Sequence, residues 1–497
     1  MIRARILAAT AMLAALSGCI SLAPEPEVPV VTAELPEQYL YVENAGEYRP
    51  EAWWTAFDDP VLDTLVARAL ESNLDIAEAA ARVEQASAQA RLARSALLPT
   101  VVFNRDTTSS STPLSGSPFG GIAGGGGPDR IENDTFSFGV GAAYELDLFG
   151  RARNDLAATR ADALAVEQNF RSVQLAVAAE TISAYFDVVD TRRQIELTVA
   201  SLDVLQDRAA RTQERFARGL AQSFELYQIE QELRAAQAAL PQLESALSAH
   251  EGRLAILLGT YRPEVESILS APLIPTLVFD AVPVGLPSDL LAQRPDVAAA
   301  WARLEAARLR IGARRAERYP QPSLVASFGS QGGGVGSALN IFDNWAASFA
   351  LSMVAPIFDG GRISANIEAA RAVYAQNAAA YTRSVITAFA EVDTALSDYE
   401  EQRQRYLLIA AQLTEAQSSL DLQRRRFAAG VGSYTAYLDA LRNVYQVESS
   451  LSGAARATAL SRLNVHRALG GDWAPDSQPL PLEMRPLADG PAGDVMP

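Results

Sequence analysis

With 497 residues, 49% of them hydrophobic, the chain is long enough for several ordinary domains, and its net charge is −17. That acidity argues against nucleic acid as a partner. No stretch is long and apolar enough for a spanning helix except the N-terminus, and that one is short.

Met1 to Ser17 carries Arg3 and Arg5, then ILAATAMLAAL, then small residues, the pattern of a secretory signal over 1–18. LSGC, residues 16–19, resembles the bacterial lipobox, which implies cleavage before Cys19 and a covalent lipid on its thiol. The alternative is an ordinary signal with an incidental cysteine. Cys19 is the only cysteine, so no intrachain disulfide can form. In lipoproteins of this kind an Asp after the cysteine favours inner-membrane retention; Ile20 points outward instead. Losing Arg3 and Arg5 leaves 40 basic against 59 acidic residues. Residues 19–52, rich in Pro and Glu, read as a lipidated extended segment.

The rest of the chain is one unit written twice. Residues 75–99 align on 296–320 at a shift of 221, with Asp75, Ala81, Arg82, Glu84, Arg94 and Pro99 recurring as Asp296, Ala302, Arg303, Glu305, Arg315 and Pro320. Residues 151–259 align on 362–470 at a shift of 211; Arg151, Glu180, Arg215, Phe216, Gly219 and Gly259 recur as Arg362, Glu391, Arg426, Phe427, Gly430 and Gly470. The shift falls because repeat one has a longer middle. Its excess, SSSTPLSGSPFGGIAGGGGPD (109–129), reads as a flexible loop. Those glycines lack a GK[ST] and a following helix, so they do not make a phosphate cradle.

Each middle is a pair of strands. In TFSFGVGAAYELDL, residues 135–148, Phe136, Phe138, Val140, Ala142, Tyr144, Leu146 and Leu148 share one parity, against Thr135, Ser137, Gly139, Gly141, Ala143, Glu145 and Asp147. A weaker strand runs near Val101 to Thr108. In repeat two, Leu324, Ala326 and Phe328 alternate with Ser323, Val325, Ser327 and Gly329, and Trp345 to Val354 alternates likewise. Four strands per chain in two hairpins follow, with Gly-rich outer loops near 109–130 and 329–338. Around them the pattern is helical. From Arg151 to Gly219 runs one stretch that, if wholly helical, rises roughly 100 Å at about 1.5 Å per residue. Its two apolar stripes, Phe170 to Leu202 and Leu175 to Val189, suit neighbours on both sides.

The expected division is 53–98, 99–150 and 151–259 for the first helical part, β-hairpin and long helices of repeat one. Residues 260–287 form a linker; 288–319, 320–361 and 362–470 repeat the order, and 471–497 form a tail. In hydrocarbon, strands must close into a barrel, and about eight are the bacterial minimum. Four are too few, so chains must pool their hairpins, with lipid on the greasy parity and a lumen on the small polar one. Two copies make eight strands and three make twelve. The rival is a coiled-coil spacer lipoprotein without a pore.

AWWTAFDDPVLDTLVARALESNLDI, YELDLFGR, LLAQRPDV and PIFDGGR resemble the TolC-like outer membrane factors, and the lipobox places the chain near their lipoprotein branch, typified by NodT and OprM. The resemblance spans nearly all of 19–473. It implies a mainly α, internally duplicated fold: a homotrimer with a twelve-stranded outer-membrane β-barrel, a long periplasmic α-barrel of antiparallel helices and an equatorial belt to which 260–287 contributes. It also implies a passive duct in a tripartite exporter, with a periplasmic adaptor protein, an inner-membrane pump of the resistance-nodulation-division type and outer-membrane lipid as partners. A protein-secretion duct is the variant reading; the lipoprotein branch favours small-molecule efflux, multidrug resistance included.

Two helical hairpin tips fall at RFARGLAQSFELYQ and RFAAGVGSYTAYLD. The resemblance implies that Gly219-Leu220 and Gly430-Val431 contact the adaptor, and that Glu225 and Asp439 are acids near the periplasmic aperture. Ala436 stands where many relatives carry another acid. A carboxylate ring repeated by symmetry concentrates cations; the bland reading is a solvated helix-end acid. Glu145 and Asp147 read as lumen-lining or, preferably, as caps of the strand-to-helix joint through Arg151, with Phe149-Gly150-Arg151 and Phe358 to Arg362 as the joints themselves. His250 and His466 are not repeat equivalents and read as packing or surface residues. No histidine cluster, nucleophile elbow or Walker loop occurs, so no enzyme, metal or cofactor is expected beyond a lipid on Cys19.

Overall fold

The computed structural model describes residues 21–25, 53–113, 130–269 and 294–471. Cys19, the signal, the loop core 114–129, most of the linker and the tail lie outside the described residues. After a 3₁₀ turn at Trp53–Phe57 come α1 (Pro60–Ser72), α2 (Leu74–Ser95), β1 (Thr100–Pro113), β2 (Arg130–Glu145), α3 (Arg151–Ala217), α4 (Ser223–Leu257) and α5 (Arg262–Ile268). The second half holds α6 (Pro295–Ala316), β3 (Gln321–Gly332), a one-turn helix at Val335–Ala338 within the expected loop, β4 (Trp345–Val354), α7 (Arg362–Ala428) and α8 (Tyr434–Ala468). The duplication is written into these bounds: α3 and α7 each span 67 residues, α4 and α8 each 35, and α2 and α6 each 22.

The chain divides into two compact units, one built from 84–165 and 301–380, the other from 53–83, 166–300 and 381–471. The first holds a single antiparallel sheet in the order β1-β2-β3-β4. The two hairpins are therefore joined inside the chain, β2 pairing with β3, which the two-hairpin reading of the sequence did not specify. Register confirms the duplication residue by residue. Thr100 faces Ala143 across β1–β2, and their repeat counterparts Gln321 and Val354 face each other across β3–β4. At the central seam Gly139 faces Gly329, where a Cβ on Gly139 would fall 2.7 Å from the Phe328 carbonyl oxygen. Only glycines permit that approach.

Two expectations need correction. The first hairpin is taller than the sequence suggested: β1 runs on to Pro113 and β2 begins at Arg130, so part of the serine-rich loop is strand. Ser109 donates to Asp134 across the pair at 2.6 Å, so hydroxyls tie together what hydrophobic patterning could not reveal. At the other end β2 stops at Glu145, and Leu146 and Leu148 leave the strand. Glu145 holds Arg151 through both carboxylate oxygens, at 2.8 and 2.9 Å, and Asp147 accepts from the Arg153 backbone N–H at 2.9 Å. These pairs cap α3 and turn the chain; Glu145 does so through Arg151 as expected, whereas Asp147 is held by Arg153 instead.

In the second unit the core gathers Trp53, Phe57, Leu62, Leu65, Ile182, Tyr185, Phe186 and Leu254. Motifs find mechanical explanations here. Asp59 of AFDDP caps α1, accepting from Val61 and Leu62 N–H groups at 3.0 and 3.2 Å and from the Tyr185 hydroxyl at 2.6 Å. Arg294 of AQRPDV donates to the Ala468 carbonyl at 2.8 Å and grips Asp296 and Glu391. Its repeat counterpart, Asn73, donates to Leu257, the counterpart of Ala468, at 3.0 Å. One joint is thus closed twice with different side chains.

His466 is a buried packing residue, stacked on Trp53 with ring centroids 5.4 Å apart. Burial, and then the nearby Arg462 charge, push its pKa from 6.5 down to about 3. A neutral imidazole in the fold contributes stability that is complete above pH 6.5 and lost as pH falls toward 3. The loss is about 1.4 kcal/mol per pH unit for each chain. The melting midpoint should therefore drop between pH 7 and pH 5, and His466→Phe should remove most of that drop; an unchanged acid slope in the variant would refute it.

Candidate functional site

The sheet is two-faced. Cross-strand register places Val101, Phe103, Phe138, Val140, Tyr144, Leu324, Phe328, Phe349 and Leu351 on one side. The other side carries Asn104, Asp106, Ser137, Gly141, Ser323, Ser327, Ser348 and Ser352, with Ser323 bonded to Ser352 at 2.6 Å and Ser327 to Ser348 at 2.7 Å. An ordinary sheet would bury its apolar side, yet Phe103 is 70% and Phe349 73% exposed. From Phe136 to Tyr144 the apolar parity runs about 27 Å along the strand at ~3.4 Å per residue, close to the apolar band of an outer-membrane barrel. The two outer edges, β1 and β4, have no second strand among the described residues. No helix among the described residues is long and apolar enough to cross a membrane.

The helical tips lie in the other unit. Gly219 at φ 70° and Gly430 at φ 76° end α3 and α7 in one and the same motif. Leu220 N–H donates to the Arg215 carbonyl at 2.8 Å and Gly219 N–H to Phe216 at 2.9 Å; Val431 and Gly430 repeat this onto Arg426 and Phe427 at 3.0 and 2.9 Å. Glycine is required because the left-handed turn penalises any Cβ. Leu220 and Val431 then project into solvent.

Above the tips, α3 is tied to α8 by polar contacts. The Tyr434 hydroxyl donates to Asp207 at 2.5 Å, Arg211 donates to the same carboxylate at 2.9 Å, and the Arg211 guanidinium lies 4.0 Å over the Tyr434 ring. The Tyr434 bond, then Arg211, holds the Asp207 pKa below its ordinary value, and the carboxylate raises that of Tyr434. Arg208 pairs with Asp439 at 2.6 Å. Higher on the same two helices, Arg456 holds Asp187 and Ser452 donates to Asp190 at 2.5 Å. Within repeat two the packing is apolar instead, Ala416 against Val444 and Val447.

The sequence pattern of the outer membrane efflux proteins matches residues 65–260 and again 286–471, once per repeat. The chain belongs to the outer membrane efflux protein family. It is 32% identical to a probable efflux pump outer membrane protein, TtgC, of Pseudomonas putida over 94% of this chain and 95% of that one. It is 29% identical to the cation efflux system protein CusC of Escherichia coli, over 92% and 97%. The open-state MtrE outer membrane channel of Neisseria gonorrhoeae superposes with a TM-score of 0.77 at 26% identity, covering 91% of this chain and 98% of that one. The protein is accordingly a non-enzymatic outer-membrane channel of a tripartite efflux system, in a family of trimers that work with efflux pumps.

For an efflux channel the tips are the region of interest, and the residues singled out in the sequence are brought there unequally. Gly219, Leu220, Gly430 and Val431 sit at the two turns. Asp439 is half-exposed and neutralised by Arg208, whereas Glu225 is an exposed acid in the first turn of α4, where a helix N-terminus favours negative charge. The Ala436 backbone donates to Ser433, which caps α8. Sequence reading missed Asp207, Arg208, Arg211 and Tyr434. The repeat comparison could not flag them, because Asp207 and Tyr434 correspond to Ser418 and Ser223. On paper, Asp207 and Arg211 look like a solvated i, i+4 pair.

Proposed function

We propose that three copies pool their four-stranded sheets into one twelve-stranded barrel, and that their long helices continue the same conduit into the periplasm. The observation that carries this reading is the sheet itself: an apolar face on which Val101, Phe103, Val140, Phe328, Phe349 and Leu351 are exposed, a serine-lined face opposite, and two edges free among the described residues. Such a sheet is stable only with hydrocarbon on one side, water on the other and further strands at its edges.

The finer assignments follow from the tips and the N-terminus. Leu220 and Val431, held outward by glycine turns, are the apolar points a periplasmic adaptor hairpin would meet, with a resistance-nodulation-division pump beyond it. The Asp207–Tyr434 and Arg208–Asp439 pairs form a latch between repeats that keeps the aperture narrow. Asp439 contributes to cation preference once the latch parts, and Glu225 adds to the same field. A lipid on Cys19 anchors the chain to the outer membrane. Residues just after it support this: Arg308 grips the Pro24 carbonyl and Ser21 donates to Asn154 at 3.0 Å, fixing 21–25 in the unit that holds the sheet. Cargo is proposed to be small molecules selected by the pump. A strain lacking this chain should accumulate an efflux dye, and a plasmid copy should reverse it; equal accumulation with and without the protein would contradict the export role.

A further inference from the structure

The serine face of the sheet is not uniform: near its centre lies a hollow of about 230 Å³. Cross-strand register sets three levels there. Asp106, Ser137 and Gln331 form one, and Asn104, Gly139, Gly329 and Ala346 the next. Gly141 and Ser327 form the third. The middle level is nearly bare of side chains, so the floor of the hollow is peptide backbone, with polar side chains on either side and Asn104 at one end.

Gly139 and Gly329 are accounted for by the close approach of β2 to β3, but Gly141 is not. A Cβ there would meet the Asn104 amide nitrogen at 3.5 Å and a Val102 methyl at 3.7 Å, which is ordinary contact. Glycine weakens a strand interior, so packing gives no reason to leave that position empty. The repeat comparison isolates the feature. Moved by 221 and 211, Asp106, Gly139 and Gly141 become Ser327, Ala350 and Ser352, so the second hairpin has neither the carboxylate nor the glycines. Asp106 is exposed and makes no ion pair among the described residues, whereas Glu145, the other acid on this parity of the sheet, is held by Arg151.

We propose that this hollow is a transit site for flat organic cations on their way through the channel. The proposal deepens the efflux reading and rests on it, because only in a shared barrel does this face line the path of the cargo. The unbalanced Asp106 carboxylate supplies attraction for positive charge and repels anions. Bare peptide planes at Gly139 and Gly329 give a flat ring system a surface to lie on. The Asn104 and Gln331 amides and the Ser137 hydroxyl each donate and accept hydrogen bonds, which suits amine and heteroaromatic nitrogens alike. A single carboxylate among neutral groups is too few oxygens of the right kind for a bound divalent ion. One exposed charge also keeps the binding weak, as a conduit requires: cargo must enter and leave again.

Photolabelling tests the site. Ethidium monoazide, a flat cation that bonds on illumination to the surface it rests on, is added to the purified protein in mild detergent. Labelled peptides are mapped by mass spectrometry with and without excess plain ethidium. Labelling that ethidium suppresses should concentrate in 100–113, 130–145 and 321–332. Asp106→Asn should weaken it about fivefold, the scale of one exposed charge pair. Gly141→Val, which fills the hollow without a clash, should weaken it by at least as much. Asp134→Asn removes the same charge from the opposite face of β2 and should change nothing. Suppressible labelling confined to the helices, or none at all, overturns the site. So does equal loss in Asp134→Asn, or loss in Asp106→Asn with none in Gly141→Val, since either leaves a diffuse field and no hollow at work. One chain builds the whole hollow, so monomeric protein labelled in the expected pattern would overturn the shared barrel and leave the binding site standing.

Discussion

Tyr434→Phe channels in planar bilayers are expected to pass several-fold to 100-fold more current than the parent at the same voltage. The substitution removes one hydroxyl and leaves the ring packed at a tilt against Phe427 and Tyr437. A hydrogen bond to a charged group contributes about 1.5–3 kcal/mol, and partial exposure at the tip reduces this to about 1 kcal/mol per chain. If the three latches, one per chain, open together, the combined shift of about 3 kcal/mol changes the open-to-closed ratio roughly 100-fold. Arg208→Ala should add less, because an exposed ion pair contributes at most about 1 kcal/mol. Tyr437→Phe is the control, since it leaves the Asp207 bond in place. Equal conductance of Tyr434→Phe and parent channels would show that the Tyr434–Asp207 bond does not hold the aperture closed.

Phe328→Lys should nearly abolish assembly in the outer membrane, while Ser327→Lys, one residue away, should be tolerated. The two side chains point to opposite faces of β3, one exposed beside Trp345 and the other bonded to Ser348. A lysine on the lipid face near the bilayer midplane costs about 2–4 kcal/mol. Three copies multiply that to roughly 6–12 kcal/mol per barrel, comparable with the stability of a whole domain. On the water face a lysine loses one hydroxyl contact, about 1 kcal/mol, and its charge stays hydrated. Heat-modifiable trimer in isolated outer membranes measures both. Loss of the Ser327 variant with survival of the Phe328 variant would reverse the assignment of faces.

Much of the architecture was legible because duplication and periodicity are redundant signals. Arg151 and Arg362, Gly219 and Gly430, Gly259 and Gly470 marked helix starts and stops twice over, and alternation in 136–144 and 324–328 set the strand faces. Legibility ended where local pattern stops deciding the outcome. The serines of 109–113 read as loop because they carry no alternation; pairing with 130–134 makes them strand. Leu146 and Leu148 kept the strand parity but were drawn off it by the Glu145–Arg151 and Asp147–Arg153 caps. Tyr434 and Asp207 are 227 residues apart, so nothing short-range couples them. Asp439 stands out in the sequence as an acid, but Arg208, which neutralises it, lies on α3 and meets it only through the packing of α3 against α8.

The most direct measurement of a pore shared among copies is single-channel recording of Ser348→Cys protein exposed to a cationic methanethiosulfonate reagent. Ser348 lies on the serine face of the sheet, so its thiol should face water inside the barrel. Current should fall in three discrete steps, one for each chain around a common lumen, with no block when the thiol is placed at Phe349. Block in a single all-or-none step, or block from Phe349 and none from Ser348, would contradict a pore shared among copies.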